Sequence, residues 1–324
     1  MLRVTKGVNL WILFLVVGLF MTTPVMAKDF PSETITLVTW SSPGGGGDVL
    51  GRNLQAPLSK VAGVPVVIVN KPGGSGAVAM EYATKMKNDG YHLLIVTASG
   101  VITPHVAGTR LSVADFKGVI RVQLDPEVLM AKGDSPFKSA KDAIEAKKAN
   151  PGSIKFAGAF LGNMDSLLCY QIFQKAGIQF DYVPYSGGGE AMTALLGGHV
   201  QVLFGNPSEV EPQVEAGQIR LISIATKERL PGLPNVPTLI EQGYDITGIL
   251  WRGIVAPKGT ADDKVNKLNG LIKQAMQDPA WLDYMKKSKL SDGYLTAAEF
   301  DKDIKNEFKL YGEIVNKMGI KKKK

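Results

Sequence analysis

The sequence predicts an α/β fold made of two doubly wound α/β domains with a ligand cleft between them. Segments rich in β-branched and aromatic residues alternate with helical segments, which is typical of a mostly parallel sheet covered by helices. This alternation starts at "ETITLVTW" and starts again at "SIKFAGA". A chain of 324 residues with 45% apolar residues is long enough for two domains, each with its own core.

The chain begins with the pattern of a secretory signal peptide, residues 1–27. Arg3 and Lys6 precede an apolar run over residues 10–21, and small residues precede a cleavage site after Ala27. The alternative is a membrane anchor, but a run of about twelve residues is shorter than the roughly 20 that a spanning helix needs. We therefore expect an exported protein that is cleaved after Ala27.

The first half alternates strands with helices. "ETITLVTW" predicts a strand, the segment from about Asp48 to Ala62 predicts a helix, and "VPVVIVN" and "YHLLIVT" predict two more strands. The composition changes near "RVQLDPEVLMAKGDSP", after which a helix over "SAKDAIEAKKANPG" opens the second half. The strand segments "FDYVPY", "HVQVLFG" and "IRLISIAT" follow.

The last third of the chain is first irregular and then helical. "ERLPGLPNVPTLIEQG" is rich in proline, which predicts irregular structure. Thr260 with Asp263 and Thr296 with Glu299 have the spacing of capping boxes. After the second of these, apolar residues recur at helical spacing as far as Gly319, which predicts an amphipathic helix packed on a core.

Two glycine-rich loops resemble each other. "SSPGGGGD" follows the first strand and "SGGGE" follows "YVPY", and each precedes a helix. Glycine lets backbone N–H groups approach a ligand, and the helix that follows adds unpaired N–H groups and the positive end of its dipole, so an anionic oxygen group fits. The alternative is a tight turn in which Asp48 or Glu190 only caps a helix. One loop in each half favours a cleft that holds a ligand between them.

Other classes of site are disfavoured. "GSGAVA" matches a dinucleotide fingerprint only weakly, and the first loop lacks the Lys-Ser/Thr of a P-loop. We find no sequence motif of a hydrolase or a zinc site, and His92, His105 and His199 share no metal-ligand spacing. We therefore expect no catalytic residue, metal or cofactor. Cys169 is the only cysteine, in an apolar helical segment, which favours a packing role. The net charge of +7 is spread along the chain, so no nucleic-acid partner is expected.

These motifs, in this order, resemble the periplasmic solute receptors of tripartite tricarboxylate transporters, also called Bug receptors. The resemblance rests on "ITLVTWSSPGGGGDVLGR", "PVVIVNKPGGSGAVA", "VPYSGGGEAMTALLGGHVQVLF", "LPNVPTLIEQG" and "WRGIVAPKGT", and it covers nearly all of the mature chain. It implies a venus-flytrap protein with a discontinuous first domain, residues 28–124 plus 251–324, and a second domain, residues 125–250. It also implies a small carboxylate ligand, delivery to the membrane permease subunits of the transporter, and a monomeric receptor in the periplasm.

The resemblance also places the ligand-binding residues at strand ends and loops of both domains. In the first domain they are Ser41, Ser42, Gly44, Gly45, Gly46, Gly47, Asp48, Thr97, Ala98 and Ser99. In the second domain and its return crossing they are Gly162, Asn163, Asp165, Tyr185, Gly187, Gly188, Gly189, Asn206 and Trp251.

The chain departs from the family pattern at Asp165. Many relatives carry Gly-Ser-Pro-x-His where this chain has Asn163 to Leu167. An Asp165 that faces the cleft would repel a second carboxylate, or it would pair with an amine or hydroxyl of the ligand. The alternative, which we favour slightly, is that Asp165 only caps the helix that follows.

Two functions remain open from the sequence. The first is a transport receptor for a small carboxylate, and the second is a secreted enzyme that acts on a small organic acid. The absence of catalytic motifs from the sequence favours the receptor. The sequence does not identify the carboxylate.

Overall fold

The computed structural model describes residues 29–41, 43–73, 76–185 and 187–319. Within these ranges the strands are β1 Ile35–Thr39, β2 Val66–Asn70, β3 His92–Thr97, β4 Lys117–Pro126, β5 Val128–Lys132, β6 Phe156–Gly158, β7 Tyr182–Pro184, β8 Val202–Gly205, β9 Ile219–Ile224, β10 Ile249–Ala256 and β11 Ser291–Leu295. The helices are α1 Gly46–Ala62, α2 Ala77–Thr84, α3 Ser99–Ala107, α4 Ala140–Ala149, α5 Met164–Ala176, α6 Gly188–Leu196, α7 Glu211–Glu215, α8 Asp262–Ala275, α9 Pro279–Lys287 and α10 Ala297–Lys317. The predicted signal peptide lies outside the described residues.

The strands form two separate sheets. The first has the order β11-β4-β10-β3-β1-β2, and the second has the order β7-β6-β8-β5-β9. In both sheets the strands that alternate with helices pair in parallel, as β1 does with β2 and β3, and as β6 does with β7 and β8. The remaining strands pair antiparallel. The α/β fold class is confirmed, but the expectation of mostly parallel sheets is wrong.

Helices cover both faces of the first sheet. Successive side chains of its central strands point to opposite faces, and the side chains on both faces are apolar. Leu37 and Ile95 pack with α1, α8 and α9, where Leu54 and Trp281 are buried. Their neighbours in the strands, such as Val38, lie on the opposite face with residues of α2, α3 and α10. This is the doubly wound arrangement that the alternation of strands and helices predicts.

The second sheet is built in the same way. Phe156 packs edge-on against Phe173 of α5, with ring centroids 4.9 Å apart. On the opposite face Met130 and Ala157 pack with Leu195 of α6. Cys169, also on α5, has an exposed fraction of 0%, which confirms its predicted packing role.

One predicted capping box forms and the other does not. Thr296 accepts a hydrogen bond from the Glu299 N–H, and the Glu299 carboxylate accepts one from the Thr296 N–H, at the start of α10. Thr260 instead donates its hydroxyl to the Pro257 carbonyl oxygen, and α8 begins after Ala261 with no side-chain cap. The predicted capping box at Thr260 is therefore wrong, and the N-cap of α8 lies one residue further on, at Ala261. Residues 228–243 are irregular, as the prolines predict.

The two sheets are joined where the chain crosses between them twice. Glu127 is the single residue between β4 in the first sheet and β5 in the second. The chain returns over residues 225–248, from β9 to β10. The two crossings touch: the Ala225 N–H donates to the Glu127 carbonyl oxygen at 2.9 Å, and the Gly248 N–H donates to the Ala225 carbonyl oxygen at 2.8 Å.

Candidate functional site

Two adjoining cavities lie between the sheets, at the crossings. One has a volume of about 290 Å³ and the other about 590 Å³. We call them the acidic cavity and the glycine-loop cavity. The acidic cavity is lined by Trp40, Gly73, Gly76, Thr97, Ser99, Glu127, Ala159, Phe160, Asn163, Met164, Asp165, Gly187, Gly188, Gly205, Asn206, Glu209 and Leu250. The glycine-loop cavity is lined by Gly44, Gly45, Gly46, Val49, Gly188, Gly189, Met192, Thr193, Leu196, Ser208, Glu209, Val210, Gln213, Arg252, Tyr284, Ser288 and Leu290.

An ion pair fixes the crossing strands beneath these cavities. Arg252 of β10 donates from Nη1 to Oδ2 of Asp125 of β4 at 2.5 Å, and both side chains are buried. The Ser208 hydroxyl donates to the same carboxylate oxygen at 3.1 Å. Burial raises the pKa of Asp125, and the Arg252 guanidinium opposes that rise. A buried charge is stable only when paired in this way.

The first glycine-rich loop satisfies two of its N–H groups internally. The Gly44 N–H donates to Oδ2 of Asp48 at 2.9 Å, and the Gly47 N–H donates to the Ser41 hydroxyl oxygen at 3.0 Å. Gly45 is the N-cap of α1. The N–H groups of Gly45 and Gly46 make no hydrogen bond within the described part of the chain, and both glycines line the glycine-loop cavity.

Asp48 is turned away from the cavities and belongs to the structure of the loop. Besides the Gly44 N–H, its carboxylate accepts hydrogen bonds from Arg52 Nε and Asn70 Nδ2, each at 2.9 Å. The bond from Arg52 is the largest cause of a pKa lowered to about 2, with the bonds from Gly44 and Asn70 adding to it. Asp48 is thus ionised and paired, as a helix N-terminus favours.

The second glycine-rich loop is arranged differently. Gly187 is the N-cap of α6, and this helix start has no side-chain cap. A Cβ built on Gly188 would collide with the Glu209 carboxylate, so the glycine lets this carboxylate lie close to the start of α6. Glu209 follows β8 and Asn206, and it borders both cavities.

Asp165 faces the acidic cavity, and the expectation that it only caps α5 is wrong. The N-cap is Asn163, whose Oδ1 accepts a hydrogen bond from the Ser166 N–H at 3.1 Å. Asp165 Oδ2 accepts one from the Ala159 N–H at 2.8 Å, which ties it to the end of β6. Burial raises the pKa of Asp165 against these hydrogen bonds.

Glu127 and Glu209 complete an acidic wall with Asp165. Glu127 is 1% exposed, and its Oε2 is buried without a hydrogen-bond partner in the described chain. Burial, and then the neighbouring carboxylate of Asp165, raise its pKa well above the usual range. Burial also raises the pKa of Glu209 to about 7, although that side chain keeps contact with the solvent of the cleft. Three carboxyl groups with raised pKa values therefore border one cavity.

Many of the residues expected at the site do line these cavities. They are Gly44, Gly45, Gly46, Thr97, Ser99, Asn163, Asp165, Gly187, Gly188, Gly189 and Asn206. Ser42 lies outside the described residues.

Seven expected residues line neither cavity, and most have structural roles. Ser41, Gly47 and Asp48 bond within the first loop, Ala98 is fully buried, Gly162 donates its N–H to Ser166, and Tyr185 packs beneath α6. Trp251 is 1% exposed, packs edge-on against Phe300 and donates its indole N–H to Glu307. Its neighbour Arg252 lies at the cleft instead, because successive residues of a strand point to opposite faces.

Apart from Asp165, the charged residues that line the two cavities escaped the sequence analysis. Glu127, Glu209 and Arg252 lie in "DPEVLMAK", "NPSEVEP" and "LWRGIVAP", which match no ligand motif. The usable signal was an acid between two apolar strands at "DPEVLM", since a buried charge without a partner is costly and has a functional reason more often than a structural one.

The fold and the cleft define a solute-binding protein of two α/β lobes. Among the described residues, no group of three or more His, Cys, Asp or Glu side chains could hold a metal ion. No helix in the same ranges is long and apolar enough to cross a membrane.

Comparison with known proteins gives the family. The Tripartite tricarboxylate transporter family receptor profile matches residues 50–320, and the chain belongs to this family. The resemblance inferred from the sequence motifs is thereby confirmed. Receptors of this family are periplasmic, bind small carboxylates and work with membrane permeases. The protein is accordingly a solute receptor, and the enzyme alternative has no support.

Relatives match over almost the whole chain. A UPF0065 protein of the gbd 5′ region of Cupriavidus necator is 33% identical over 91% of this chain and 90% of its own. Protein BugT of Bordetella pertussis is 30% identical over 97% of this chain and 100% of its own. Among solved structures, an R. palustris protein with adipate has a TM-score of 0.81 at 26% identity, over 90% of this chain and 99% of that one. The periplasmic binding protein BugD has a TM-score of 0.79 at 25% identity, over 91% and 100%.

Proposed function

We propose that this receptor captures a small carboxylate in the cleft between its two sheets and passes it to the permease subunits of a tripartite tricarboxylate-type transporter. The domains are residues 28–124 plus 251–324, and residues 125–250. The receptor acts as a monomer in the periplasm after cleavage behind Ala27. The described strands support this division, because β4 ends at Pro126 in one sheet and β5 starts at Val128 in the other.

The observation that carries the proposal is the free backbone at the start of α1. Gly45 and Gly46 line a cavity with N–H groups that have no partner within the described residues, and Arg252 borders the same cavity. A helix N-terminus with free N–H groups beside a guanidinium favours an anionic oxygen group. The similar R. palustris protein was solved with adipate, a dicarboxylate, which supports an acid as ligand.

A thermal-shift screen across mono-, di- and tricarboxylates tests the proposal. A ligand present at about 100 times its Kd adds roughly 2.7 kcal/mol to the unfolding free energy, which raises the melting temperature measurably. The matched control is Gly46→Val, which should fold by circular dichroism but lose the shift. A screen in which no carboxylate stabilises the wild-type protein would overturn the proposal.

Export is tested separately by mass spectrometry of the mature protein. Cleavage behind Ala27 gives a chain that starts at Lys28. A mature chain that still starts at Met1 would contradict the periplasmic assignment of this protein.

Closure of the two domains on the ligand follows from a cleft bordered by both sheets. Small-angle scattering with and without the ligand found by the screen should show a smaller radius of gyration in the bound state. An unchanged radius at saturation would contradict closure but not binding.

A further inference from the structure

The charges in the cleft do not match a ligand that is only an acid. Asp125, Glu127, Asp165 and Glu209 interact electrostatically with one another, and Arg252 is the only guanidinium among the described residues that borders the two cavities. Arg252 is already paired with Asp125. The acidic cavity itself is lined by Glu127, Asp165 and Glu209, with no Lys or Arg among its described lining residues.

An independent feature of this cavity indicates a missing partner. Glu127 is 1% exposed, and its carboxyl group is hydrogen-bonded to that of Asp165, but its Oε2 lacks a hydrogen-bond partner among the described residues. A buried carboxylate oxygen without a donor is costly, so a protein retains one where a bound group supplies the donor. Glu127 is also the residue that joins the two sheets, so a group bound to it sits at the crossing itself.

The two cavities differ in the charge that they attract, and they meet. The glycine-loop cavity offers the N–H groups of Gly45 and Gly46, which have no partner among the described residues, together with Arg252. The acidic cavity offers carboxyl oxygens and no cationic side chain. Gly188 and Glu209 border both cavities, so a single ligand that passes Glu209 can occupy both. The glycine-loop cavity would bind its negatively charged end, and the acidic cavity would bind its positively charged end.

We propose that the solute of this receptor carries a protonated amine in addition to its carboxylate, and that Glu127, Asp165 and Glu209 bind the amine while the first glycine-rich loop binds the carboxylate. This inference rests on the proposed function and narrows it to amine-bearing carboxylates. The ammonium donates to the orphan Oε2 of Glu127 and offsets the repulsion among the three carboxyl groups. A metal ion does not take this place, because no group of three or more His, Cys, Asp or Glu side chains among the described residues could hold one. An ammonium needs only one or two of the carboxyl groups as close acceptors, with the charge of the others nearby.

A dicarboxylate without an amine is the competing ligand, and its binding should change the protonation of the wall in the opposite direction. Its second carboxylate can enter the acidic cavity only if the wall is protonated and donates hydrogen bonds to it. Binding would then take protons up from solution. An ammonium group favours the ionised wall, so its binding releases protons.

The first experiment compares matched ligands by thermal shift and titration calorimetry. The pairs are L-glutamate with glutarate, L-aspartate with succinate, and 6-aminohexanoate with hexanoate, with 1,4-diaminobutane as an amine without an acid. We expect at least one aminated acid to bind tenfold or more tightly than its partner without the amine. If the plain acids bind as tightly or more tightly, the inference is overturned and the proposed function stands. If only the diamine binds, the cleft takes an amine but no carboxylate, which overturns both the proposed function and the inference that rests on it, and a panel without any binding contradicts both.

The second experiment measures the proton change on binding, by calorimetry at pH 7.5 in two buffers of different ionisation enthalpy. Besides the three wall carboxyls, the titratable and charged groups facing the wall are Asp125, Tyr182 and Arg252. We expect proton release with the aminated acid that binds in the panel. Proton uptake would overturn the inference.

Two variants assign the effect to the wall. Glu127→Gln keeps the shape of the side chain, and Glu209→Gln changes a side chain that is open to the cleft, so at least the second is expected to fold. Each should reduce the preference for the aminated acid over its plain partner by tenfold or more, while binding of the plain acid persists or improves. Glu313→Gln, on the exposed face of α10, is the matched control. An unchanged preference in a folded Glu209→Gln variant would contradict the role of the wall.

Discussion

The two glycine-rich loops are alike in sequence and unlike in the folded protein. In the first loop Asp48 and Ser41 accept the N–H groups of Gly44 and Gly47, whereas those of Gly45 and Gly46 have no acceptor among the described residues. In the second loop α6 starts without a side-chain cap, and the nearby carboxylate comes from Glu209, which follows a different strand. The shared motif therefore gives a glycine-rich turn before a helix in both places. What each loop can bind depends on the neighbouring side chains, which are Asp48 and Ser41 at the first loop and Glu209 at the second.

The acids at the two loops differ in the same way. Asp48 is held by Arg52, Asn70 and the Gly44 N–H, which keep its pKa at about 2. Glu209 is among other carboxyl groups at the cleft, where burial raises its pKa to about 7. The first acid is a permanent charge that supports the loop, and the second changes protonation near neutral pH.

Removal of Arg252 should have the largest effect, because this side chain lies beside the first loop and compensates the buried charge of Asp125. We expect Arg252→Leu to lower the unfolding free energy by about 3–5 kcal/mol, as measured by urea denaturation. The exposed Arg52, which pairs with Asp48, is the control, and Arg52→Leu should cost much less. The double variant Asp125→Leu with Arg252→Leu should recover most of the loss. A double variant as unstable as the single one would mean that the charge is not the cause.

The second-largest effect is expected where a glycine of either loop is replaced by alanine, and it should differ between the two loops. A Cβ at Gly46 would lie 2.5 Å from Arg252 Nη2, whereas a Cβ at Gly189 would have nothing within 4 Å. We expect Gly46→Ala to weaken binding of a carboxylate about ten- to hundredfold, the effect of losing one charge-assisted hydrogen bond of about 1.5–3 kcal/mol. Gly189→Ala should lose less. Calorimetric titration measures both, with Gly270→Ala on α8 as the control, and equal losses at Gly46 and Gly189 would remove the distinction between the loops.

Acid should act on the first loop through Asp48. Because its folded pKa of about 2 lies below the unfolded value of 3.8, Asp48 adds stability that is present above about pH 4 and lost as the pH falls towards 2. The contribution is about 2 kcal/mol at most, since the partner Arg52 is half exposed to solvent. Asp48→Asn should remove this part of the acid dependence in urea titrations between pH 2 and 6. Parallel curves for the variant and the wild type would contradict it.

The smallest effect is expected at Glu209, and its sign is opposite. Its folded pKa of about 7 lies above the model-compound value of 4.5, so the folded state holds a proton that the unfolded state has lost. The contribution of Glu209 to stability is therefore greatest below about pH 4.5 and is lost as the pH rises through 7. The charged groups that face it are Arg252, Asp125, Asp165 and Glu127. Glu209→Gln should flatten this fall in unfolding free energy, and a variant with the wild-type slope would argue against a shifted Glu209.

The sequence predicted most of the fold because its signals are local. Segments rich in β-branched and apolar residues located β1 and β3, and the box at Thr296 located the start of α10. Strand pairing was predicted less well, because the direction of β5 depends on where the chain crosses and not on its own residues. The glycines of the site were found from their motif. Glu127 was not, since its importance arises from residues that are distant in the sequence and meet only in the fold.

The one-residue connection at Glu127 also limits insertions and deletions between β4 and β5. Each residue added to a strand advances it by about 3.3 Å and turns the following side chains to the other face. An insertion between Pro126 and Val128 would exchange the buried and opposite faces of β5, or else push the second sheet away from the return crossing at Ala225. A deletion would do the same. The distance along the chain from β4 to β5 is thus fixed more tightly than the identity of the residues there, whereas the crossing over residues 225–248 has room for gaps.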